Sequence, residues 1–192
     1  MKIALSGLIL AAAAITSAHA GITVTMGSVP ARDCFAYAQS GTDLQNGVSI
    51  CGEALRDDSL SKHDRAGTYV NRGIMLDTLG QTDLAAADYK AAIALDPALG
   101  DSYVNLGALL IKQHRYQEAL DQLNKGLELG PSFPHVAYYD RAQAEEQLGH
   151  FLAAYYDYKK VLDLEPGYSR ATERLKDLHA ALPRAQLVLP IT

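Results

Sequence analysis

The residues of this 192-residue chain that could do chemistry fall into few groupings. Arg72 and Asp88 stand 16 residues apart, and Arg141 and Asp157 repeat that separation. An arginine and an aspartate can close a two-pronged, charge-assisted hydrogen bond, so the recurrence predicts two structural ion pairs, Arg72–Asp88 and Arg141–Asp157. The alternative is that these arginines grip a carboxylate ligand. Cys34 and Cys51 are the two cysteines, 17 residues apart. They could form a disulfide, remain two buried thiols, or act as a redox pair, although the close Cys-x-x-Cys spacing of redox pairs is missing. Ser59-Leu60-Ser61-Lys62 has the spacing by which a lysine activates a serine, but its companion motifs are absent and it lies in a polar stretch. The six histidines (His19, His63, His114, His135, His150, His179) never stand as a pair one turn apart, so no metal site is expected. No phosphate-cradling glycine loop, Gly-x-Ser-x-Gly or His-Glu-x-x-His occurs. Neither catalysis nor a cofactor is expected.

The elements that must position these residues are set by three prolines. Pro97, Pro131 and Pro166 lie 34 and 35 residues apart and close three similar segments, 66–99, 100–134 and 135–168. In each, an aromatic opens a first helix (Tyr69, Tyr103, Tyr138) and a small residue follows four later (Gly73, Gly107, Ala142). Each second helix carries a small residue (Ala85, Ala119, Ala154), then a bulky one (Tyr89, Leu123, Tyr158), then Ala92, Gly126 or Val161. Small residues let two helices approach and large ones fill the space beside them, as helix-on-helix packing demands. Gly80 and Gly149 mark the turn between helices, where the middle unit has His114. That unit also has Leu106 and Gln122 at the arginine and aspartate places. Cation and anion appear together and vanish together.

These positions and this period resemble the tetratricopeptide repeat, most visibly over Tyr69 to Pro97, in an exported bacterial version. The resemblance implies an all-α fold: a right-handed TPR-type α-solenoid of antiparallel helix pairs, with three clear repeats, a degenerate N-terminal hairpin and a C-terminal capping helix. It also implies a concave face lined by first helices. Here that face would comprise Val70, Asn71, Ile74 and Asp77; Asp101, Val104, Asn105, Ala108 and Lys112; and Tyr139, Asp140, Gln143 and Glu146. Asn71, Asn105 and Asp140 fall at equivalent places, and side-chain amides offer both donor and acceptor to a peptide backbone. The alternative is that Asn71 and Asn105 merely solvate the groove. The face does not match the family's carboxylate clamp, because acids outnumber the one cation, Lys112. A neutral or basic segment is the expected partner.

Flanking elements complete the stack. Ala31 to Ser40 and Asp43 to Arg56 read as the degenerate hairpin, stapled by Cys34–Cys51; closing such a loop is worth about 3 kcal/mol in the chain-entropy model. The link Asp57 to Asp64 is polar and is expected to be the most mobile joint. Ser169 to Ala180 is amphipathic, with Leu175 and Leu178 inward and Arg170, Arg174 and Lys176 outward, and reads as a cap over the open end. The apolar tail 182–192 either folds over that cap or occupies a groove as an extended peptide.

At the start, Met1-Lys2, the apolar run Ile3 to Ile15 and Ala18-His19-Ala20 have the three regions of a secretory signal peptide. Cleavage after Ala20 would leave 172 of the 192 residues, with 21–30 extended. A cysteine pair suits an oxidising compartment. A soluble periplasmic protein without stable membrane insertion is expected. The formal charge of −5 argues against nucleic acid, whose binders show basic patches. Two functions are compatible with these features: a periplasmic adaptor or scaffold that binds a peptide or protein segment in its groove, or a structural subunit of an envelope or secretion assembly. Whether it forms a homo-oligomer is left open.

Overall fold

The computed structural model describes residues 29–181. The expected signal peptide 1–20 and the tail 182–192 lie outside them. Among the described residues the chain is nine α-helices: α1 (Val29–Ser40), α2 (Leu44–Ala54), α3 (Lys62–Thr78), α4 (Thr82–Leu95), α5 (Gly100–Lys112), α6 (Tyr116–Leu129), α7 (Pro134–Gln147), α8 (Phe151–Leu164) and α9 (Ser169–Ala181). They pack in sequence as pairs, α1 on α2, α3 on α4, α5 on α6 and α7 on α8, with α9 against α8. First helices also touch one another, α3 with α5 and α5 with α7. This is an all-α solenoid of antiparallel helix pairs with additional helices at both ends.

The packing follows from residue size. A Cβ added to Gly73 would lie 2.5 Å from the ring of Tyr89, and one added to Gly107 would lie 2.6 Å from Leu123. Glycine on one helix therefore makes the hole that the bulky side chain of the next fills. Tyr89, Leu123 and Tyr158 are all buried at that same place in successive hairpins. Burial also raises the phenol pKa of Tyr89 and Tyr158, so both rings stay neutral. The turns need one residue with left-handed backbone: Gly80 has φ 75°, Gly149 has φ 81°, and His114 takes the same conformation at φ 59°. Only glycine adopts that region without a Cβ penalty.

At the N-terminal end, α1 and α2 form a hairpin. The sulfurs of Cys34 and Cys51, both buried, lie 2.07 Å apart, at disulfide distance. The second helix is shorter than its sequence suggests. Asp43 has φ 46° and stands outside it, while Leu55 and Arg56 already turn away. The polar link that follows is braced, contrary to the expectation of a loose joint. Arg65 donates to the carbonyls of Leu55 (2.5 Å) and Asp57 (2.7 Å), and Leu60 is buried with Ala31 and Ala54. Ser61 then caps α3, its hydroxyl accepting from the Asp64 amide at 3.0 Å.

The far end stays open on one side. Between α8 and α9 lies a groove of about 570 Å³ lined by Leu162, Leu175 and Ala180, with Lys159, Lys176 and His179 at its rim. It occupies the place that a second helix fills in each preceding unit. At the position of Gly73, Gly107 and Ala142, the last helix carries exposed Lys176.

Candidate functional site

The polar residues with special geometry divide into two sets: those inside a hairpin, and those along the row of first helices α3, α5, α7 and α9. Inside the first hairpin, Arg72 donates through Nε and Nη2 to the two oxygens of Asp88, both at 2.7 Å. Arg141 does the same to Asp157 at 2.8 and 2.7 Å. Each guanidinium also lies over an aromatic ring, Tyr69 at 5.4 Å and Tyr138 at 5.3 Å. The aspartates are nearly buried and the arginines about a quarter exposed. In both, the hydrogen bond to the carboxylate raises the arginine pKa against the opposing effect of burial. Arg141 further donates to Asn124 Oδ1 of the preceding unit at 2.8 Å. The donors of both arginines are thus turned to protein acceptors, which accounts for them without a ligand.

Along the first helices, Lys112 of α5 bonds Asp77 of α3 at 2.7 Å. Arg174 of α9 pairs with Glu146 of α7, whose carboxylate also accepts from the Tyr158 hydroxyl at 3.1 Å. Asp101 holds the loop before α7: its oxygens accept from the Ser132 amide (2.8 Å) and hydroxyl (2.6 Å). Three of the acids expected to face a partner therefore tie successive units together.

The depth of the face differs from the sequence expectation. Val70, Asn71, Ile74, Asp101, Val104, Asn105, Tyr139 and Asp140 are all buried. Val70, Ile74 and Val104 belong to the main apolar core. Tyr139 is wedged between the rings of Tyr158 (5.5 Å) and Tyr168 (5.1 Å). Asn105 donates to the carbonyl of Asp101 in its own helix at 2.9 Å. Asp77, Ala108, Lys112, Gln143 and Glu146 keep partial exposure. Adjacent first helices touch, so a position that faces inward by register is also pressed against its neighbours.

One group in this row stands apart. Asp140 is 6% exposed, and its Oδ2 has no hydrogen-bond partner. Burial pushes its carboxyl up to about 8, although Lys112 on one side and Arg170 on the other pull in the opposite direction. The nearby Tyr168 hydroxyl is also buried without a partner. Arg174 was expected to point outward, yet it is the ion-pair partner of Glu146. The signal was present in the register: Arg174 follows Asp140 by 34 residues, as Asn105 follows Asn71. No cluster of three or more potential metal ligands occurs among the described residues, and none of their helices is long and apolar enough to cross a membrane.

Comparison with known proteins places this architecture. The tetratricopeptide repeat family matches at residues 66–99 and, in a second form, at 88–121. The mouse protein "Tetratricopeptide repeat protein 16" is 30% identical over 145 residues, covering 72% of this chain and 18% of its own length. "Lipoprotein NlpI homolog" from Haemophilus influenzae is 34% identical over 77 residues, covering 40% of this chain and 24% of its own length. The chain thus spans less than a quarter of these relatives. Among solved structures, MamA superposes with a TM-score of 0.64 at 20% identity, covering 77% of this chain and 83% of that one. The second tetratricopeptide domain of human RPAP3, solved with the HSP70 peptide SGPTIEEVD, gives 0.57 at 27% identity, covering 62% of this chain and 98% of that one.

Proposed function

With the tetratricopeptide-repeat fold as premise, we propose that the protein is a non-enzymatic, exported adaptor or scaffold of the periplasm. It holds a peptide or protein segment along its row of first helices. The observation that carries this reading is the bracing of that row. Asp77–Lys112 and Glu146–Arg174 lock neighbouring first helices together, with half-buried Ala108 and Gln143 on the intervening helices. A surface fixed before binding loses little entropy when a partner arrives. The solved RPAP3 complex supports peptide binding as a use of this fold at 27% identity. The signal-peptide features of residues 1–20 and a Cys34–Cys51 disulfide support export, and the partial likeness to a lipoprotein is compatible with it. Because the acids of this face do not form a carboxylate clamp, the partner segment is neutral or basic.

Crosslinked capture from the cell envelope with mass spectrometry tests the proposal. A partner recovered with the native protein and lost with Ala108→Arg plus Gln143→Arg supports it, provided the variant melts like the parent. A second reading, a structural subunit of an envelope assembly, is favoured by Leu84, Phe151 and Leu164, which expose 42–56% of their surface on second helices. On that reading Leu84→Ser plus Phe151→Ser removes the partner instead.

A further inference from the structure

We infer that Asp140 holds the cationic end of a lysine or arginine side chain of the bound segment, its Oδ2 accepting the ammonium or guanidinium hydrogen bond. The inference rests on the groove reading above and deepens it by naming the chemistry the groove selects.

A buried carboxylate oxygen without a partner is costly, and native structures rarely leave one. Asp140 is flanked by two inter-helix bridges in which every acid is engaged: Asp77 with Lys112 before it, Glu146 with Arg174 and Tyr158 after it. Asp101, the remaining acid of the row, is satisfied by Ser132. Asp140 alone among these four has an oxygen left over. Its neighbours do not supply the missing donor. Lys112 acts on it through space while its Nζ bonds Asp77, and Arg170 acts only through space. Around it, Tyr139, Tyr158 and Tyr168 form a ring cluster at centroid separations of 5.5 and 5.1 Å. Aromatic faces beside a carboxylate suit an organic cation better than a hydrated metal ion. Asn71 and Asn105 occupy the equivalent places, so the row presents two amides and one acid in register.

Binding has a proton balance. Without a ligand the carboxyl is raised by burial, with Lys112 and Arg170 opposing and Asp157 and the three phenols close by. At neutral pH it is therefore mostly protonated. When an alkylammonium binds, the carboxyl gives up that proton to solvent and a carboxylate–ammonium pair forms, so affinity rises with pH up to about 8 and then levels.

The test uses the exported full chain and two small probes, N-acetyl-lysine methylamide and its norleucine analogue, at equal ionic strength. Carboxyl carbon NMR, with the Asp140 signal assigned by its absence in Asp140→Asn, follows the titration. The lysine probe is expected to lower the Asp140 titration midpoint by half a unit or more and to bind Asp140→Asn at least fivefold more weakly; the norleucine probe should do neither. Equal effects of both probes, or none from either, overturn the inference. Asp140→Asn is close in shape and has the side chain of Asn71 and Asn105, so folding is expected to survive. Loss of the cation effect with partner capture intact would sink this inference alone. Loss of partner capture with the cation effect intact would sink the groove reading alone.

Discussion

Arg141 and Asp157 meet across the third hairpin by two parallel hydrogen bonds of 2.8 and 2.7 Å, and the same guanidinium reaches back to Asn124 in the unit before. The bond thus belongs both to one hairpin and to the joint between two. The middle unit supplies a natural replacement, Leu106 with Gln122.

Converting Arg141 to Leu or Asp157 to Gln alone strands a largely desolvated partner and should cost about 2–3 kcal/mol. The double replacement should cost clearly less than the sum. Urea unfolding of the four proteins gives the coupling energy, and a value near zero would mean that the paired geometry contributes nothing.

His114 carries a left-handed backbone at φ 59° where the flanking units use glycine. Its ring meets the Tyr116 hydroxyl at 2.7 Å, but both groups are near the surface and water can replace that bond. His114→Gly should therefore stabilise the protein by about 0.5–1 kcal/mol. Differential scanning calorimetry should show a higher Tm; a lower one would assign the turn to the His114–Tyr116 contact.

Asp140 makes stability depend on pH in the direction opposite to a salt-bridged acid. Its folded-state pKa, about 8, lies above the unfolded value, so between roughly pH 4 and 8 the native state binds the extra proton. Stability from this group falls as pH rises through that window, and the loss is complete above the folded pKa. Relative to the parent, Asp140→Asn should be more stable by about 1–3 kcal/mol at pH 8.5 and similar at pH 4. Denaturant midpoints at the two pH values decide, and a constant difference would reject the assignment.

The Cys34–Cys51 geometry predicts that denatured, unreduced protein shows no free thiol with a colorimetric reagent. Reduction should release two thiols and weaken the N-terminal hairpin by about 3 kcal/mol. Two thiols found before reduction would mean that the bond does not form in the isolated protein.

Much of the fold was legible because packing is written in residue size. Gly73 opposite Tyr89 and Gly107 opposite Leu123 each pair a hole with its filler, and the prolines give the period. The Arg–Asp recurrence was legible for a related reason, since two charges replaced together in the middle unit imply contact. Depth was not legible. Register puts Val70, Asn71 and Val104 on the inward face, but how far neighbouring first helices close over them depends on the inter-unit angle, which no single position encodes. The bracing of the Asp57 to Asp64 link was hidden for another reason: Arg65 binds backbone carbonyls, and a carbonyl has no sequence signature. Arg174 could have been placed by extending the register past the third proline.

Lys176 decides how many units the molecule can hold. Its side chain stands where every earlier hairpin needs an atom or two at most, so an additional second helix laid down after α9 would collide with it or strand its charge. Elongation by duplication of a hairpin would have to remove that lysine first, which makes one residue the terminus of the array.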